Sequence, residues 1–71
     1  MPETGFPLTS DQERWAEALA IERQHGDRAP VFVAERIGAL ALAGDEAGVE
    51  RFRHIAARLD ELRNPRQFLP G

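Results

Sequence analysis

The stretch VFVAERIGALALAG, from Val31 to Gly44, carries charge only at Glu35 and Arg36. On a helical wheel with about 100° per residue, most of its other residues occupy three faces. They are Val33, Ile37, Leu40 and Ala41 on the first, Val31, Gly38 and Leu42 on the second, and Phe32, Ala39 and Ala43 on the third. A helix that is hydrophobic all round is normally buried on all sides. The stretch therefore predicts a helix covered by the rest of the fold or by another chain.

The residues flanking this stretch predict where three helices meet. Gly26 and Gly44 each offer the left-handed conformation that ends a helix at low cost, and the next residue, Asp27 or Asp45, is a suitable N-cap for the following helix. Pro30 suits the first turn of helix two, where its missing N–H is not needed. The segments GDRAPVFVAERI and GDEAGVERFRHI align at a shift of eighteen residues. We interpret this as one helix-starting device used twice. Half of a repeat array is the alternative, although such arrays need about three repeats or more.

The outer ends of the helical region also carry boundary signals. Thr9 with Gln12, or Ser10 with Glu13, fits a capping box at the start of helix one. Asn64-Pro65 closes helix three, because proline disfavours helix at the residue before it. We therefore predict an all-α fold, a compact three-helix domain that occupies residues 1–71 as one unit. Its helices lie at about 10–25, 28–43 and 46–63, and its irregular tails at 1–8 and 64–71.

Helices one and three each show a single apolar arc. The arc of helix three comprises Val49, Phe52, Ile55, Ala56, Leu59 and Leu62, and that of helix one comprises Trp15, Ala18, Leu19 and Ile21. Glu22 and His25 fall inside the arc of helix one. Buried charges are generally paired, so we predict an interhelical ion pair between Glu22 and Arg36, with a catalytic carboxylate at Glu22 as the alternative.

Composition points to a bacterial, cytoplasmic protein that does not enter a membrane. The 71-residue chain has a net charge of −3 and no cysteine, so it forms no disulfide and no cysteine-based zinc site. Its apolar run is too short to span a bilayer and carries Glu-Arg in its middle. A chain of this length buries only about 60% of its unfolded surface, which leaves a marginal core unless a partner adds to it.

No pattern in the sequence predicts catalysis, a cofactor or a small-molecule substrate. A metal site at His25, Asp27 and His54 is the nearest candidate, but nothing in their spacing brings the three together, and the ligand count of known sites is not met. HGDRAP lacks both the glycines and the lysine of a phosphate-binding loop. We expect no enzyme, no catalytic residue, no cofactor-binding residue and no metal ligand.

Nucleic-acid binding is a weaker alternative. Helix, tight turn and helix is the outline of a DNA-reading motif, and helix three carries Arg51, Arg53, Arg58 and Arg63. However, residues 45–66 also carry as many acidic residues as arginines, and surfaces that bind phosphates are normally basic. We expect the arginines to pair along the helix instead, for example Glu50 with Arg53 or His54.

The segment from Glu13 to Leu62 resembles a group of short uncharacterised alphaproteobacterial proteins classed as a domain of unknown function. ERQHGDRAP and ERIGALALAGD are its most recognisable parts. The resemblance implies a small helical protein and carries no known activity, cofactor or catalytic residue.

The uncovered side of helix two carries the functional prediction. Two partner helices cannot enclose a third completely, and large exposed apolar patches usually mark interaction sites. We expect a small non-enzymatic protein–protein interaction or adaptor module that forms a homodimer, or binds another protein chain, through helix two. The contact lies around Gly38 and Leu42 or, as the alternative, around Phe32 and Ala39. The alternative function is a small transcriptional or nucleic-acid-associated regulator. The alternative cover for helix two is the chain's own tails, through Phe6, Leu8, Phe68 and Leu69.

Overall fold

The structure, a computed structural model, describes residues 10–64, and these residues are all-helical with no strand among them. Helix α1 spans Ser10–His25, a short 3-10 segment spans Gly26–Arg28, α2 spans Ala29–Leu42 and α3 spans Glu46–Arg63. The predicted all-α fold class is confirmed. The bounds of α2 lie within one residue of the prediction at each end, and those of α3 coincide with it.

The first two helices form one continuous helical path with a bend. The 3-10 segment Gly26–Arg28 follows α1 and leads into α2 with no gap. The described chain therefore counts as one long bent helix and a second helix, and not clearly as the three helices that the sequence predicted. Helix α3 packs against both arms of the bent helix, whereas α1 and α2 make few contacts with each other.

The helical path bends and continues at this junction, because Asp27 does not cap a new helix. A capping side chain bonds the backbone N–H two or three residues later. The N–H of Ala29, two residues on, already donates to the carbonyl of Gly26, and Pro30, three residues on, has no N–H. Asp27 is fully exposed, and Arg28, the residue before α2, makes no capping bond either. The predicted Asp27 cap is therefore wrong, although Pro30 lies in the first turn of α2 as predicted.

The second junction confirms its prediction. Gly44 has a φ of 75°, its N–H donates to the carbonyl of Ala41 at 3.1 Å, and the N–H of Asp45 donates to that of Leu40 at 3.0 Å. This pair of bonds is the Schellman motif that satisfies the last carbonyls of a helix. The Asp45 carboxylate then accepts the N–H of Gly48 at 2.9 Å and caps α3.

The outer ends are described only in part. Helix α3 stops at Arg63, and the N–H of Asn64 donates to the carbonyl of Asp60 at 2.8 Å, so the helix closes where the sequence predicted. Helix α1 already includes Ser10. The alternative cap Thr9 and the four tail residues predicted to cover helix two lie outside the described residues.

Six buried side chains form the core among the described residues, and all three α-helices contribute. They are Ala18, Ile21, Ala29, Val33, Ile55 and Leu59, with Phe32, Ile37, Phe52 and Ala56 packed against them. Ala18 and Ala29 are completely buried, so the small side chains lie where the helices come closest. Leu19 and Leu62, which the sequence placed on inner arcs, lie at the margin and remain 40% and 37% exposed.

Candidate functional site

Helix α2 presents an uncovered apolar face to solvent. Its buried side carries Ala29 and Val33. A sector of roughly 120° beside that buried side, at 100° per residue, carries only apolar residues and glycine, all of them exposed. We call it the α2 face, and it comprises Pro30, Val31, Ala34, Gly38, Ala41 and Leu42. Leu42 is 92% exposed and Val31 is 42% exposed, which is a high exposure for large aliphatic side chains on one helix.

The centre of the α2 face is nearly flat. Ala34 and Gly38 lie one turn apart, and a side chain added at Gly38 would meet nothing within 4 Å. Gly38 is therefore not required by packing within the described chain. Small residues four apart let a second helix approach closely, while Leu42 projects at one end of the face.

The alternative patch around Phe32 and Ala39 is not formed. Phe32 is half-buried and packs against the core, and its ring stacks on that of His25 with centroids 4.1 Å apart. Ala39 remains exposed. Of the two patches that the sequence offered for association, the structure brings together the one containing Gly38 and Leu42.

A shallow groove of about 240 Å³ adjoins the α2 face. We call it the α2–α3 groove. Its floor is apolar, and its rim at the end of α3 is polar. The floor comprises Pro30, Val33, Ala34, Ile37, Ala56 and Leu59, and the rim comprises Asp60, Arg63 and Asn64. The groove is smaller than the roughly 300–1,000 Å³ typical of small-molecule pockets, and it shares Pro30 and Ala34 with the α2 face.

Glu22 pairs with Arg63 and not with Arg36, so the predicted ion pair is wrong in its partner. Arg63 Nη1 donates to both carboxylate oxygens of Glu22, at 2.9 and 3.1 Å, and to the carbonyl of Gly26 at 3.0 Å. The hydrogen bond to Glu22 raises the pKa of Arg63 above its ordinary value. The last turn of α3 is thereby fastened to the bend. Arg36 is exposed on α2 and has no hydrogen-bond partner within residues 10–64, because α1 and α2 diverge and do not pack side by side.

The candidate metal ligands serve separate contacts. His25 stacks on Phe32, Asp27 lies 3.7 Å from Arg63 Nη2, and His54 lies 3.3 Å from a carboxylate oxygen of Glu50 on the outer side of α3. Within the described part of the chain, no group of three or more His, Cys, Asp or Glu side chains is placed to hold a metal ion.

The arginines of α3 are used mainly to attach α1. Arg51 donates to Glu17, Arg58 donates to Asp11 at 2.8 Å and Arg63 donates to Glu22. Pairing within the helix, as predicted, occurs between Arg58 and Glu61 at 2.9 Å and between Glu50 and His54. Sequence reasoning missed the three bonds to α1, because it assigned these arginines to pairs along α3.

Glu17 is bound by two arginines, Arg14 and Arg51. Partial burial alone would raise the pKa of its carboxyl, but hydrogen bonds from Arg51 and Arg14, together with the positive charges of both, hold the pKa below its ordinary value of 4.5. Arg14 Nε donates to Glu17 at 2.6 Å. The pKa of Arg51 is raised by the same hydrogen bond to Glu17. Three of the four α3 arginines considered for DNA contacts are therefore already bound to carboxylates.

Comparison with protein families gives one match. Residues 10–67 match the model of a family of unknown function (DUF6961), and the chain belongs to this family. No curated protein and no solved structure matched the chain. Within residues 10–64, no helix is both long and apolar enough to cross a membrane.

Proposed function

We propose that this member of the family of unknown function is a small, non-enzymatic protein–protein interaction module, and that it forms a homodimer through the α2 face. The exposure of Leu42 is the observation that carries the proposal. A leucine 92% exposed at the end of an uncharged sector is costly to leave in water, since burial of such a side chain contributes about 1.5–3 kcal/mol.

A second copy is the partner that the α2 face fits best. If two α2 helices cross antiparallel near the middle of the face, Ala34 of one copy lies opposite Gly38 of the other. Leu42 then lies opposite Pro30 and Val31, so the small residues meet at the centre of the contact and the larger ones at its ends. The α2 face of each chain then covers the same face of the other chain, as in most symmetric dimers. The dimer would also extend the core, which has six buried residues among those that the structure describes.

Two finer statements belong to the same proposal. We propose that α1, α2 and α3 act as three packing units, because the positive φ of Gly26 interrupts regular α-helix between the first two. We also propose a bacterial cytoplasmic setting, which the absence of cysteine from the sequence supports.

The test is light scattering after size-exclusion chromatography at micromolar concentration. The wild-type chain should elute at twice its 7.9-kDa mass, and Leu42→Glu should elute as a monomer, because it places a charge in the contact. Ala39→Glu is the matched control: it adds the same charge to an exposed position of the same helix outside the α2 face, and it should stay dimeric. A wild-type monomer, or equal loss of the dimer in both variants, would contradict the proposal. Circular dichroism of each variant separates loss of the dimer from loss of the fold.

A further inference from the structure

The α2–α3 groove lies beside the α2 face, and we assign it an occupant other than the second copy. We propose that the C-terminal segment of the same chain, residues 65–71, docks in this groove and places the side chain of Phe68 on its apolar floor. The groove would then be a binding site for a peptide segment that the chain itself supplies.

The chain leaves α3 on the rim of the groove. Asn64 lines the rim, its N–H donates to the carbonyl of Asp60 and its side chain donates to Asp60 Oδ1 at 2.9 Å. Arg63 is held in turn by Glu22 and the carbonyl of Gly26. The last turn of α3 is therefore held in place, and the described chain ends at Asn64 on the rim of the groove.

The length of the segment matches the length of the floor. From Asn64 back to Ala56 there are eight residues of α3, or about 12 Å at the helical rise. Phe68 lies four residues beyond Asn64, which spans at most about 13–14 Å of extended chain. A segment that turns back along the groove therefore places Phe68 over the floor beside Leu59 and reaches at most Ile37 and Ala56 at the far end of the lining.

The composition of the segment suits the groove. PRQFLPG places Phe68 and Leu69 together between two prolines, and the floor consists of six apolar residues. Prolines reduce the conformational entropy lost on ordering, and a short tether gives an effective concentration of the order of millimolar.

The groove shares Pro30 and Ala34 with the α2 face, but Val31, Gly38 and Leu42 of that face do not line it. Docking of the segment is therefore measured by contacts within the groove and not by the mass of the assembly. Nuclear Overhauser contacts in the full-length chain give the test. We expect contacts from the Phe68 ring to the methyl groups of Val33, Ile37 and Leu59. Their absence would overturn the proposal. A mixture of isotope-labelled and unlabelled chains distinguishes the source: contacts that appear between labelled and unlabelled chains would assign the groove to the partner's tail and contradict docking within one chain.

A pair of full-length variants gives a second measurement. Phe68→Ser should shift the backbone amide resonances of Ile37, Ala56 and Leu59, because it removes the ring from the floor. Gln67→Ser, the matched control in the same segment, should leave these resonances in place. If neither variant shifts them, or if both shift them equally, Phe68 does not occupy the groove.

Discussion

The pairs Gly26-Asp27 and Gly44-Asp45 are identical in sequence and different in structure. Both glycines have positive φ, 55° and 75°. At Gly44-Asp45 the chain leaves α2, reverses and begins α3 with a side-chain cap. At Gly26-Asp27 the helical path continues through a 3-10 turn and only bends. The first pair therefore joins two arms of one helix, whereas the second makes a hairpin.

The residue three positions after each aspartate explains the difference. Gly48 follows Asp45 at that spacing and donates its N–H to the carboxylate. Glycine is the residue that fits here, because the Cβ of any other residue would lie 2.5 Å from Asp45 Oδ2 and clash with the capping carboxylate. Pro30 follows Asp27 and has no N–H to donate. In this chain, the Gly-Asp pair begins a new capped helix only where the residue three positions after the aspartate has a backbone N–H to donate.

The largest effect should come from replacing the glycine of the hairpin. Gly44→Ala forces an L-residue into the left-handed region, which costs about 1–2 kcal/mol, and the hairpin cannot relax without separating α2 from α3. Gly26→Ala should cost less, because the helical path is already continuous there and the bend can open. Urea unfolding followed by circular dichroism measures both. A larger loss at Gly26 would contradict the distinction between hairpin and bend.

Replacement of the two aspartates should separate the junctions next. Asp45→Ala removes a cap and should lower the free energy of unfolding by about 1 kcal/mol. Asp27→Ala removes an exposed side chain that caps nothing, and the same unfolding measurement should barely detect it. Equal losses would show that Asp27 caps α2 after all.

A smaller effect tests the role of Pro30 directly. Pro30→Ala supplies the missing N–H three residues after Asp27, so Asp27 gains a donor. Asp27→Ala should then become destabilising in the Pro30→Ala background by up to about 1 kcal/mol, the usual value of a cap. A double-mutant cycle measures this coupling. Additive effects would mean that something other than the missing N–H prevents the cap.

The smallest effect concerns the attachment of α1 to α3, which should weaken at acidic pH. Helix α1 is attached to α3 partly by ion pairs, among them Glu17 with Arg51. The folded pKa of Glu17 is lowered, so its contribution to stability is present above pH 4.5 and is lost as the pH falls through the folded pKa. Glu17→Gln should flatten this acid limb of stability against pH. Glu35→Gln, an exposed control on α2, should leave the limb unchanged, and equal flattening would remove Glu17 from the account.

Local signals predicted most of the helical boundaries. Gly44, Asp45 and Asn64-Pro65 each act through hydrogen bonds or backbone restraints within a few residues, and these are visible in the sequence. The wrong prediction at Asp27 also has a local cause. Pro30 fits the first turn of α2, but it also removes the backbone N–H that the Asp27 side chain would need.

The tertiary partners were less predictable. Glu22 was correctly placed on an inner arc, but its partner depends on whether α1 returns alongside α2 or diverges from it. The bend brings Arg63 to Glu22, 41 residues away along the chain, and leaves Arg36 in solvent. Phe32 similarly turned inward to stack on His25. The periodicity of a single helix cannot choose between two packing directions for its faces.

The central claim is that the bend leaves the α2 face uncovered by the helices of its own chain and that a second copy covers it. Sedimentation equilibrium of the wild-type chain from micromolar to submillimolar concentration tests this most directly. The account predicts a mass that rises to twice 7.9 kDa and no further, as expected for a closed symmetric pair. A mass that stays at that of one chain over the whole range would contradict it.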